Sequence, residues 1–284
     1  MNLKQFLAGI TAALIAAGAL SCAAPERDTV ELGYVEWACA TAGTNVAKAV
    51  IQERLGYDTE IISVSAAAMW TAVAAGDVDA INCAWLETTH GHYLEEVRDR
   101  VIDLGPNLEG TRIGLVVPDY VDIDSIEELK ASAERFGNEI IGIDPGAGIM
   151  SATEEAIETY ELDEFTLVEG SGATMAGALS DAVNNNEWVV VTGWTPHWKF
   201  GEWDLKYLED PRGIYGGEEY IHTIVRQGLE EDMPEVYNFL DNFFWTPDDL
   251  HTVMAWNEEV GADPYETAVR WINENSDVVD QWLQ

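Results

Sequence analysis

Three tryptophans and one glycine-rich turn carry the chemistry legible in this chain. Trp85 in "GDVDAINCAWLETTH" and Trp194 in "VVVTGWTPHW" each stand at or near the end of an apolar run, followed by threonine and then histidine. Trp37 closes a third such run, "VELGYVEW". An indole face attracts a quaternary ammonium, which cannot donate hydrogen bonds, with ~2 kcal/mol or more when desolvated. The fourth feature is "DPGAGIM", a glycine-rich loop opening a helical pattern. The free N–H groups of Gly148 and Ile149 at such a helix start suit a carboxylate. His90 supplies a further donor close to Trp85. A cage for a methylated cation beside donors for a carboxylate describes a betaine. Against this stands packing, since a single Trp more often fills a core than a cage. Trp70, Trp188, Trp198, Trp203, Trp245, Trp256, Trp271 and Trp282 are read as core or surface packing.

The elements that must position these residues alternate strand and helix from Thr29 onward. "VELGYVEW", "YDTEIISV" and "VDAINCAW" read as strands. "TNVAKAVIQERLG" reads as a helix capped by Thr44 and closed by Gly56, and "SAAAMWTAVAAG" as one opened by Ser65 and closed by Gly76. The strand "TRIGLVVP" runs into a polar loop, after which "NEIIGIDPGAGIMSATEEAIETYEL" restarts the pattern. The strand "IHTIVRQG" then leads into three helical segments. Alternating strands and helices predict an α/β fold with a parallel sheet covered on both faces. The expected division is lobe I over 29–115, an inserted lobe II over 116–220 and a return to lobe I over 221–284. In open α/β sheets ligands bind outside the carboxyl ends of strands, so two facing lobes would set two groups of strand ends across one cleft.

Composition narrows the function. With 284 residues and 47% hydrophobic content the chain can bury a core. Its net charge of −38, from 14 Lys+Arg against 52 Asp+Glu, excludes nucleic acid as a natural partner. The acids are scattered rather than gathered in a tail. With only five lysines, this points to an acidic surface of the kind that high salt screens. Residues 1–21 have Lys4, an uncharged apolar run and then small residues, which reads as a secretory signal. "GALSC" resembles a lipoprotein cleavage box, in which Cys22 becomes the lipidated first residue and 22–28 a linker. Ordinary cleavage within "SCAA" is the competing reading. The location implied is periplasmic or cell-surface, with the membrane reached only through the lipid anchor.

"VSAAAMW", "DLGPNLEGTRIGLVVPDY", "GIDPGAGIM", "VVVTGWTPHW", "LKYLEDP" and "IHTIVRQGLEEDMPEVYNFL" together resemble the glycine betaine-binding proteins of bacterial ABC uptake systems, across essentially all of residues 29–284. The resemblance implies a type II-like periplasmic-binding-protein fold that closes on its ligand in the interlobe cleft. It implies a prism of three tryptophans around the trimethylammonium head, falling on Trp37, Trp85 and Trp194. It places the carboxylate contacts on the backbone of Gly148 and Ile149 and on the side chain of His90. It implies a monomer that delivers betaine to a membrane permease and its ATPase for osmoprotection.

Rival readings are an enzyme, a binding protein serving a sensor, and a binder of choline or another quaternary amine. His90 and His92 form an H-x-H pair with Glu87 near, but no further ligands stand at metal spacing. No nucleophile elbow and no cofactor fingerprint appear. Choline lacks a carboxylate and would leave the donors at Gly148, Ile149 and His90 unused. Cys39 and Cys83 leave two alternatives open, a disulfide tying the Trp37 segment to the Trp85 strand, or buried free thiols.

Overall fold

The computed structural model describes residues 29–86 and 88–284. Nine strands form one mixed sheet in the order β2-β1-β3-β9-β4-β7-β5-β6, with β8 pairing β4 off this path. They are β1 (Val30–Tyr34), β2 (Thr59–Ser63), β3 (Ala80–Leu86), β4 (Val101–Pro118), β5 (Glu139–Ile141), β6 (Thr166–Val168), β7 (Val191–Thr195), β8 (Leu205–Tyr207) and β9 (Glu219–Arg226). The helices are α1 (Ala38–Val50), α2 (Ala66–Ala75), α3 (Gly91–Val97), α4 (Leu129–Ser132), α5 (Gly148–Thr159), α6 (Gly172–Asn185), α7 (Lys199–Glu202), α8 (Leu229–Asp232), α9 (Pro234–Asn242), α10 (Pro247–Asn257), α11 (Pro264–Glu274) and α12 (Ser276–Trp282).

The sheet is mixed, which corrects the expectation of a parallel one. β1 pairs β2 and β3 in parallel, and β5 pairs β6 and β7 in parallel. Between these two parallel groups run β4 and β9, which pair antiparallel with each other and with β7 and β3. These are the strands that carry the chain across, and they meet their neighbours head to tail. β4 serves both groups. Val101 to Thr111 pair with β9, whereas Arg112 to Val116 pair with β7. The second passage falls just before Glu219, which lies opposite Thr111. The two groups of strands, each with its helices, form the two lobes of an α/β binding-protein fold.

The first helix begins earlier than its sequence pattern suggests. α1 starts at Ala38 with Trp37 as its N-cap residue, so Thr44 is an interior position and not a cap. The run Cys39–Gly43 has small side chains, and packing decides its conformation. A Cβ at Gly43 would touch Trp245 at 3.5 Å and Asn82 at 3.6 Å, so α1 lies close against both. Buried Thr44 instead donates to Asn82 Oδ1 at 3.0 Å. As a consequence Trp37 stands at a helix start, three residues past the end of β1, and not at a strand end. The expected stop at Gly56 is present, with φ +78° closing a π-helical turn over Ile51–Leu55. α2 opens after Ser65 and ends at Gly76, as its sequence pattern predicts.

The C-terminal helices pack an aromatic cluster. Trp271 and Trp282 stack with centroids 5.7 Å apart, and Trp245 meets Trp271 edge-on at 5.9 Å. All three are buried. Burial of several large aromatic surfaces here accounts for much of the chain's tryptophan content.

Candidate functional site

A small, partly open pocket lies where the two lobes meet. Its free volume is about 30 Å³, so the walls stand close together. Its walls include Trp37, Trp85, His90, Gly148, Ile149 and Trp194, so the structure brings together all six residues expected from sequence. Cys39, Thr89, Ile113, Ile143 and Ala147 complete the lining and were not anticipated. Ile113 sits in β4 opposite Trp194 in β7, and strand pairing alone explains its arrival. The three indoles of Trp37, Trp85 and Trp194 are each no more than 5% exposed.

His90 has a defined chemical state. Its Nδ1 accepts a hydrogen bond from the Trp85 backbone N–H at 3.1 Å. The proton of the neutral ring therefore resides on Nε2. Burial, assisted by neighbouring His92, pushes its pKa down to about 3. Nε2 is buried without a hydrogen-bond partner among the described residues. His90 thus offers the cavity one N–H donor and no charge. Trp70 backs it edge-on at 6.0 Å, and Trp37 tilts over it at 5.6 Å. Trp70 was read as packing, and it is fully buried.

The loop carrying His90 is fixed from below by a residue that sequence reasoning missed. Buried Glu219 accepts from the Thr89 N–H at 2.6 Å and also from the Thr89 hydroxyl. Thr111 donates to the Glu219 carbonyl oxygen. Glu219 therefore ties the Thr89–His90 turn to both crossing strands. A lone glutamate at a strand start carries no sequence signal for such a role.

Across the cavity, α5 begins at Gly148 after Ala147 in extended conformation. The N–H groups of Gly148 and Ile149 belong to the first helical turn, which lacks intrahelical acceptors. They present the positive end of the helix dipole to the cavity. Gly148 has a second duty. A Cβ there would overlap the carbonyl oxygen and methyl of Thr89, so only glycine lets the lobes approach this closely.

Two hydrogen bonds span the cleft beside the cavity. The Trp37 indole donates to Asp144 Oδ2 at 3.2 Å, and the Tyr93 hydroxyl donates to the Gly146 carbonyl at 2.9 Å. Cys39 and Cys83 are free thiols whose sulfurs lie 3.8 Å apart. The hydrogen bond from Cys83 lowers the Cys39 thiol, and that same contact together with burial holds Cys83 well above its ordinary value.

Among the described residues no cluster of three or more His, Cys, Asp or Glu could hold a metal ion. His90 has its Nδ1 committed to Trp85, and Glu87 lies outside the described residues. Among the described residues no helix is long and apolar enough to cross a membrane.

The family model described as the substrate binding domain of ABC-type glycine betaine transport system matches residues 28–274. The chain belongs to this family. It is similar to a glycine betaine, L-proline-binding protein, ProX, from Borrelia burgdorferi. That structure has a TM-score of 0.87 and 41% identity, covering 90% of this chain and 97% of that one. It is also similar to lactococcal OpuAC in its closed, glycine betaine-complexed form. There the TM-score is 0.85 with 40% identity, over 90% of this chain and all of the other. A glycine betaine/carnitine transport binding protein, GbuC, from Listeria monocytogenes is 49% identical over 155 residues. That match takes in 54% of this chain, and the chain spans about half, 51%, of that curated relative's length.

Proposed function

We propose that this chain captures glycine betaine, or a closely related betaine, outside the cytoplasm and delivers it to a membrane permease driven by an ATPase. The observation that carries this reading is the unpartnered Nε2–H of neutral His90 in a cavity walled by Trp37, Trp85 and Trp194. A buried donor without an acceptor is costly unless a ligand supplies one. Three indole faces, with no carboxylate in the lining among the described residues, select a cation that needs no hydrogen bonds. The remaining donors, at Gly148 and Ile149, sit where the ligand's carboxylate would complete the set. Membership of the family and the betaine named in the lactococcal complex support the same ligand.

The lobes then act as two bodies joined where β4 passes from Thr111 to Arg112 and where the chain returns before Glu219, with the ligand enclosed by their closure. The mature chain works as a monomer held to the membrane through lipidated Cys22, a residue outside those described. Calorimetric titration with glycine betaine, proline betaine, choline and ectoine tests the reading. Tight binding of a betaine, with choline weaker, is expected. Tight binding of ectoine alone, or of none of the four, would overturn it.

A further inference from the structure

Lys199 is the most anomalous side chain in the molecule. It is fully buried at the start of α7. Its Nζ donates to the Thr192 carbonyl at 3.4 Å and lies 4.5 Å from the centre of the Trp194 ring. No ion pair reaches it among the described residues. Burying an ammonium without a carboxylate is expensive, and a methionine would fill the same space without that cost. Trp194 lines the cavity and Lys199 does not, so the indole stands between the ammonium and the ligand space.

We propose that Lys199 is a specificity residue, whose ammonium behind Trp194 disfavours ligands of net positive charge and so selects zwitterionic betaines over choline-like monocations. The assignment rests on the betaine reading above and deepens it. A trimethylammonium head against Trp194 would face this second cation through one ring. A betaine carries its own carboxylate and is close to neutral as seen from Lys199. Choline has no compensating charge. A unit-charge repulsion across roughly 9 Å at an effective dielectric near 20 corresponds to about twentyfold in affinity when Lys199 is fully charged.

The charge on Lys199 is itself conditional. Burial lowers its pKa to about 7, partly opposed by the negative charge of Cys39 on α1 when that thiol ionises. The other titratable neighbours are His197, held neutral by burial and by Lys199 itself, and beyond it His251, which also acts on His197. Cys83 behind Cys39 stays a thiol. The discrimination is therefore nearly full well below pH 7, half lost near it, and gone well above it.

The test compares glycine betaine with choline, the latter measured by displacement of bound betaine, in wild type, Lys199→Met and Lys199→Gln. At pH 6 both variants should improve choline relative to betaine by about tenfold. In wild type the choline-to-betaine ratio should shift toward choline between pH 6 and 8.5, and in Lys199→Met it should stay flat. Equal changes for both ligands, or a wild-type ratio unmoved by pH, overturn the assignment while leaving the betaine reading intact. A wild-type protein that binds no betaine overturns both. The glutamine variant keeps the test decisive should methionine disturb packing.

Discussion

The indole N–H of Trp37 donates to Asp144 Oδ2 across the cleft at 3.2 Å. One residue thus lends its ring face to the cavity and its polar edge to the opposite lobe. On the proposed function, ligand recognition and closure would be coupled through this single side chain. Replacing Asp144 by Ala removes the acceptor but leaves all three indoles. Asp144 is half-buried, so the loss should be about 1–2 kcal/mol, near tenfold in betaine affinity. Solution scattering should show the liganded variant less compact than liganded wild type. Unchanged affinity and compactness would remove Asp144 from the closing device.

Trp85 and Trp194 approach the Cys39 sulfur instead of a carboxylate across the cleft. Alanine at either should cost roughly 2 kcal/mol or more of betaine binding, from lost cation–π attraction and apolar contact. Phenylalanine should cost less at both positions. Titration of each variant, with circular dichroism to verify the fold, checks this. Intact folding with unaltered affinity in both alanine variants would dismiss the cage.

His90 reads charge through one donor. Its Nδ1 is occupied by the Trp85 N–H, so only Nε2 can serve a ligand. His90→Ala should weaken glycine betaine by about 1.5–3 kcal/mol, the size of a hydrogen bond to a charged group. Choline, lacking the carboxylate, should lose much less. An equal loss for the two ligands would assign His90 to packing.

The same histidine makes stability depend on pH. Its folded pKa of about 3 lies below the ordinary 6.5, chiefly through burial. Below pH 6.5 the unfolded chain therefore binds a proton that the folded protein refuses. Stability contributed by neutral His90 is complete above pH 6.5 and falls as pH drops toward 3, by on the order of 5 kcal/mol in total. Urea unfolding across pH 7 to 4 should show a shallower loss in His90→Gln than in wild type. Parallel slopes would mean that His90 protonates freely in the folded state.

Much of this was legible in sequence, and the failures have physical causes. Trp85 and Trp194 announced themselves because each closes an apolar run that folds as a strand. Gly148 and Ile149 were visible because a glycine-rich turn before a helical pattern marks a helix start. Trp37 was found for a partly wrong reason. It was read as a strand end, but it caps a helix whose small residues obey packing against Asn82 and Trp245 rather than propensity. Glu219 and Lys199 left no trace, because their meaning comes from contacts with Thr89 and Trp194 that only the tertiary fold creates. Ile113 arrived by register with Trp194, which no local pattern encodes.

Gly148 offers the sharpest separation of binding from closure. It lies at the first position of α5, and a Cβ there would run into the Thr89 backbone carbonyl. That carbonyl cannot swing aside, since Glu219 holds Thr89 through both its N–H and its hydroxyl. Gly148→Ala should therefore fold normally, because alanine is a better helix residue than glycine. It should keep its backbone N–H and all three cage indoles, yet fail to bring the lobes together. Betaine affinity should fall at least tenfold, with thermal stability of the unliganded protein unchanged or raised. Solution scattering should show little ligand-induced compaction. A variant that binds and compacts like wild type would mean that the Thr89 turn yields, and that Glu219 does not hold it against α5.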